Sequence, residues 1–161
     1  MNALEVAKKM ETDAIIFYAA AAEKVTHAAG KKMFLSIRED EKRHLEMVAQ
    51  LIKGMNFTVK DVSPMKNVRT AFDSLKQEMM QRIKVSDDEL EAFEIAMKME
   101  KEGEAFYQKS LAGAKTEKEK ALFSRLIEEE QQHYALFSNT HSYLADTGNW
   151  FLWDERGIVE G

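Results

Sequence analysis

Two stretches of this chain place a glutamate three residues ahead of a histidine: Glu41-Lys42-Arg43-His44 and Glu130-Gln131-Gln132-His133. On a helix, residues three apart share a face, so each stretch presents one carboxylate and one imidazole toward one point. That donor pair suits a metal ion such as non-haem iron, manganese or zinc. Thiolate chemistry is excluded: the chain has no Cys, hence no disulfide, Fe–S cluster or catalytic thiol. One such stretch alone would mean little. Glu accounts for 20 of the 161 residues, so a given His has a Glu three places before it about one time in eight by chance.

The two stretches are not independent. From His44 to His133 is 89 places, and from Glu41 to Glu130 again 89. The same offset relates Met10-Glu11 and Phe17-Tyr18 to Met99-Glu100 and Phe106-Tyr107, and Phe34 and Glu39 to Phe123 and Glu128. An internal repeat of this kind points to two copies of one structural unit. Each copy contributes one further glutamate, Glu11 and Glu100. The set is then Glu11, Glu41, His44, Glu100, Glu130 and His133.

The elements that must position this set are helical. Scarce breakers, one Pro and seven Gly, favour long helices. The first segment covers about residues 3–24, with Asn2 as cap and Glu5 three places on. A second covers about 27–53, with Thr26 as cap and Gly54 as stop. A third follows Ser86, which pairs with Glu89 in a capping-box pattern, and ends near Gly113. The fourth follows Thr116, paired with Glu119, and runs to about Ala145 before Gly148. All six residues fall on apolar stripes: Leu4, Ala7, Glu11, Ile15 and Tyr18; Phe34, Ile37, Glu41, His44, Val48 and Leu51; Phe93, Ala96, Glu100, Tyr107 and Leu111; Phe123, Leu126, Glu130, His133 and Phe137. Glu11 and Glu41 straddle the Thr26 turn evenly, and Glu100 and Glu130 straddle Lys115, so within each hairpin the two glutamates stand at one height. The chain between the second and third segments holds Pro64 and a short helix at about Lys66 to Lys84. Its length fits a crossover that makes the second and third segments parallel.

Four carboxylates in one core repel one another and resist desolvation unless cations offset them. A glutamate from each of two helices and Glu-x-x-His from each of the other two is the di-iron arrangement of ferritin-like bundles. On Glu11 with Phe17-Tyr18, Glu39-Asp40-Glu41-Lys42-Arg43-His44, Glu100 with Phe106-Tyr107, and Glu128-Glu129-Glu130-Gln131-Gln132-His133, the chain resembles the rubrerythrin-like branch of that superfamily over about residues 3–145. The resemblance implies an all-α, ferritin-like four-helix bundle from two repeated hairpins. It implies two iron ions on the six residues, with Glu41 and Glu130 as the bridging pair. It also implies that Asp40 accepts a hydrogen bond from His133 and Glu129 one from His44. The chain departs from the family at Gly103, where rubrerythrins carry an extra glutamate, and at His133, where they tend to have a carboxylate. The ligand set is also similar to that of bacterioferritins, but Lys42 stands where that family has its haem-ligating methionine.

The activity the resemblance implies is reduction or activation of peroxide or dioxygen. The other readings are an iron-binding or ferroxidase protein with little turnover, and a bare helical scaffold. Without Cys there is no rubredoxin-like unit, so an external electron-donor protein is expected. Tyr18 and Tyr107, two turns after Glu11 and Glu100, can hydrogen-bond ligand carboxylates or serve redox steps; alternatively they are half-buried with wet hydroxyls. Glu104, one turn after Glu100, is read as solvated rather than as a substitute for the missing glutamate. His27 and His141 are read as surface residues. Residues 1–148 form the bundle. The tail 149–161, with Trp150, Phe151 and Trp153, is expected to pack on the bundle or on a second copy of the chain, which points to a homodimer or higher homo-oligomer. The charge balance, −5 with basic and acidic residues interleaved, speaks against nucleic acid. No apolar run is long enough for a membrane span, and with no secretory pattern at Met1 a cytoplasmic location is expected.

Overall fold

The computed structural model describes residues 2–26, 28–56 and 87–145. They form four helices: α1 (Ala3–Lys24), α2 (Ala28–Ile52), α3 (Asp87–Ala112) and α4 (Glu117–Ala145). The side chain of Asn2 caps α1 by accepting from Glu5 N–H at 2.9 Å, and extended Val25 closes its other end. α2 stops at Gly54, whose φ of 76° glycine adopts readily. There Met55 N–H reaches Gln50 O and Gly54 N–H reaches Leu51 O, at 2.9 and 3.0 Å, the Schellman pairing that satisfies terminal carbonyls. At α4, Thr116 Oγ1 accepts from Glu119 N–H while Glu119 Oε2 accepts from Lys115 N–H, both at 3.2 Å. Thr26, the expected cap of α2, has a further partner on another helix. Its N–H and its hydroxyl both donate to Glu89 Oε1 at 2.5 Å, which ties the α1–α2 turn to the start of α3. Ser86, the Lys66–Lys84 helix with Pro64, His27, Gly148 and the aromatic tail lie outside the described residues.

α1 packs along α2 and α3 along α4, and the two hairpins meet along narrower seams. Contacts between hairpins fix their direction. Tyr18 meets Glu100 while Tyr107 meets Glu11, so numbers rise on α1 as they fall on α3. His44 meets Glu129 while His133 meets Asp40, so α2 and α4 are antiparallel too. With α1 and α2 antiparallel as a hairpin, α2 runs parallel to α3. Each contact recurs at the 89-residue offset, so a pseudo-twofold axis perpendicular to the bundle relates the hairpins. This is the ferritin-like architecture.

Two apolar clusters sandwich the middle of the bundle. One is aromatic, with Phe34 centred 4.9 Å from Phe93 and 5.5 Å from Phe137. The other is mainly aliphatic, with Val48, Leu122 and Leu126 around Tyr107 and Phe123. The layer between them is polar.

Candidate metal centre

Every helix feeds that layer. Because i and i+3 share a face, α2 presents Glu41 and His44 inward together, and α4 presents Glu130 and His133; α1 adds Glu11 and α3 adds Glu100. All six are buried. Nδ1 of His44 lies 3.3 Å from Glu41 Oε2, 3.5 Å from Glu11 Oε2 and 3.8 Å from Glu130 Oε1. Nδ1 of His133 lies 3.2 Å from Glu41 Oε1 and 3.4 Å from Glu100 Oε1. Two overlapping groups result, in each of which the four donor atoms lie within 4.8 Å of one another: Glu11, Glu41, His44, Glu130 and Glu41, Glu100, Glu130, His133. Glu41 and Glu130 belong to both, as bridging carboxylates would.

The outer nitrogens are held across the hairpins. His44 Nε2 lies 3.0 Å from Glu129 Oε1 and His133 Nε2 lies 2.8 Å from Asp40 Oδ2. A carboxylate can only accept, so each Nε2 carries the proton and each Nδ1 faces the centre, the arrangement that orients metal-binding imidazoles. Tyr18 Oη donates to Glu100 Oε1 at 2.5 Å, and Tyr107 Oη donates to Glu11 Oε1. Both phenols are fully buried rather than half-wet, and burial beside these acids holds them well above the usual tyrosine range.

Charge within the layer is unequal. Burial, reinforced by Glu41, raises Glu11 to about 8; burial with Glu100 and Glu41 pushes Glu130 well up. Burial acts the same way on Glu41 and Glu100, but the nearby histidines and, at Glu100, the Tyr18 hydroxyl outweigh it and hold both below the usual carboxylate range. Burial disfavours charge on both histidines, yet Glu11 and Glu41 around His44, and Glu100 around His133, raise them well above 6.5. Even so, Glu11 Oε2, Glu41 Oε1, Glu100 Oε2 and both Nδ1 atoms are buried without a hydrogen-bond partner. Buried polar atoms are normally satisfied. Five orphans aimed at one centre, all oxygen or imidazole nitrogen, are what a pair of divalent cations would satisfy, and the residues fit that group.

Two arginines stand outside the expected set. Arg43 Nη2 lies 2.7 Å from Asp40 Oδ1 and 3.3 Å from Glu129 Oε1, so one guanidinium joins both outer acids on the α2–α4 side. Arg125 Nε donates to Glu129 Oε2 at 2.8 Å. Their repeat mates are Gln132 and Ser36, so neither is signalled by the repeat. The available cue was position: Arg43 lies inside the motif, and Arg125 lies one turn before Glu129. Glu104 is a correction. It is buried, not solvated, and accepts from Lys101 at 3.4 Å and Gln131 at 3.3 Å, outside both donor groups. His141 is partly buried and sits 3.0 Å from Glu94.

On the α1–α3 side a cavity of about 150 Å³ reaches Glu41 and Glu130. Its lining obeys the pseudo-twofold: Met10 with Met99, Asp13 with Glu102, Ala14 with Gly103, and the site residues with their mates.

A bundle of two antiparallel hairpins carrying such a carboxylate–histidine layer is a ferritin-like protein with an interior site able to bind metal. Within that class the chain belongs to the rubrerythrin family, whose family model matches residues 2–141. Comparisons with curated proteins and with solved structures returned no match. No helix among the described residues is long and apolar enough to cross a membrane.

Proposed function

We propose that this protein is a non-haem di-iron oxidoreductase that reduces or activates peroxide or dioxygen. The observation that carries the reading is the layer of five orphaned donors shared between two overlapping groups, with a small cavity leading to their common carboxylates. Glu11 and His44 would hold one iron, Glu100 and His133 the other, with Glu41 and Glu130 between. Bound iron supplies the electrons and the binding place for the oxidant. The protein's part is to orient and to insulate. Asp40 and Glu129 fix the imidazoles, Tyr18 and Tyr107 fix one oxygen each of Glu100 and Glu11, and the two apolar clusters exclude bulk water. The cavity admits a small oxidant and little more. Reduction of peroxide to water consumes two protons and two electrons. These 161 residues contain no Cys, so the electrons that restore the iron come from a donor outside them. Self-association belongs to the same reading, since Ile16 on α1 and Ile95 on α3 are exposed.

The test is elemental analysis of protein loaded with ferrous iron, followed by peroxide consumption with an added reductant. About two irons per chain and sustained turnover support the reading; one zinc per chain after iron loading overturns it. A second reading is favoured by Asp13 and Glu102, acids on the exposed wall of the cavity, which would draw in cations. There the protein is an iron-handling or ferroxidase protein, and ferrous iron is oxidised once without continued turnover when reductant is supplied.

A further inference from the structure

Gly103 lies inside α3, buried, one turn after Glu100. Glycine within a helix is destabilising relative to alanine, and the backbone does not ask for it: the described glycine with positive φ is Gly54. A neighbouring side chain does. A Cβ at position 103 would lie 2.8 Å from Glu130 Oε2, closer than unbonded atoms tolerate, and 3.3 Å from Glu130 Cδ, so the carboxylate at the end of that side chain would have to shift. The other oxygen of that carboxylate is 3.8 Å from His44 Nδ1, so Glu130 reaches from the centre of the layer into the place a methyl would fill. The repeat mate of Glu130 is Glu41, and the mate of Gly103 is Ala14, on the opposite wall of the same cavity. The methyl is therefore missing on one side only.

We propose that Gly103 is a positioning residue. By lacking a side chain it leaves the seat the Glu130 carboxylate occupies, and it makes Glu130, rather than Glu41, the shared carboxylate with room to change its coordination. The proposal rests on the di-metal reading above, and it makes the two halves of the site inequivalent despite their matching donors.

The test compares the full-length protein with Gly103→Ala and Ala14→Gly. Each is stripped of metal and titrated anaerobically with Co(II) alone, followed by calorimetry and by cobalt d–d absorption, and each apo melting temperature is recorded. The unaltered protein is expected to take up about two Co(II). Gly103→Ala is expected to keep or raise the apo melting temperature, because alanine favours helix. It should bind at least one Co(II) roughly 10–100-fold more weakly, with an altered absorption spectrum. Ala14→Gly should melt lower yet keep the cobalt affinities and spectrum. If Gly103→Ala instead melts well below the unaltered protein, the double variant Gly103→Ala/Glu130→Ala is expected to recover melting temperature; failure to recover overturns the proposal. Unchanged affinities and spectrum in Gly103→Ala overturn it too, and leave the di-metal reading standing. An unaltered protein that takes up no cobalt overturns both.

Discussion

At the scale of single residues, the central layer separates donors from the groups that hold them. Glu41 and Glu130 are common to both donor groups, so Glu130→Ala should abolish paired-metal binding. Glu129→Ala leaves all six donors in place but frees His44 Nε2, removes the Arg125 partner and leaves Arg43 with Asp40 alone. It should weaken metal binding by roughly 10–100-fold without lowering the stoichiometry. Calorimetric titration separates the two outcomes, and equal effects from both variants would contradict the division. The six donors were legible because helical spacing and the 89-residue offset select them jointly. Arg43 and Arg125 were not. Their repeat mates are Gln132 and Ser36, so the offset does not select them. Arg43–Asp40 and Arg125–Glu129 follow ordinary helical spacing, but that spacing alone does not mark a charged residue as part of the layer. The reach of Arg43 to Glu129 on another helix has no fixed spacing. Glu104 misled for a related reason: its position on α3 reads as wet, and only the approach of Lys101 and Gln131 makes its burial tolerable.

At the scale of elements, the helices follow their punctuation. Asn2 with Glu5, Thr116 with Glu119, and Gly54 set ends that spacing rules alone locate, because capping is local chemistry between neighbours in sequence. The bond from Thr26 to Glu89 lies beyond those rules, since Glu89 arrives from another helix. Gly54 gives the sharpest test. Its positive φ is strained for any residue with a Cβ, while a Cβ there would meet nothing within 4 Å. Gly54→Ala should therefore destabilise the fold by about 1 kcal/mol through backbone strain alone, with metal binding intact. Chemical denaturation measures it, and a stabilised Gly54→Ala would contradict the Schellman assignment of this end.

At the scale of the whole molecule, the pseudo-twofold follows from the repeat, but its imperfections do not. The aromatic filling of one end against the aliphatic filling of the other, the lone Arg43, and Gly103 opposite Ala14 emerge only once the hairpins face each other. The central layer also sets how the molecule responds to pH. Replacing all six donors with apolar residues of similar size should keep or raise the stability of the metal-free protein, because buried ionisable groups are then gone.

In the unaltered metal-free protein the same groups fix the sign of the pH dependence. Below pH 4.5 Glu11 is protonated in both folded and unfolded chains and contributes no slope. Between 4.5 and about 8 the unfolded chain has lost that proton and the folded chain keeps it, so stability falls as pH rises. Glu130 acts in the same direction. His44 and His133, raised above 6.5, contribute stability that is complete below that value and is lost as pH climbs through their folded values. Glu41 and Glu100, lowered, contribute stability present above 4.5 and lost on acidification. The metal-free protein should thus be most stable just above pH 4.5 and less stable at pH 8. Metal reverses the trend. Its ligands bind deprotonated, so Glu11, Glu130, His44 and His133 release protons on loading, and affinity rises with pH. Calorimetry should show the gap in melting temperature between loaded and metal-free protein widening from pH 5 to pH 8. A metal-free protein more stable at pH 8 than at pH 5 would show that the layer does not store protons as its geometry requires.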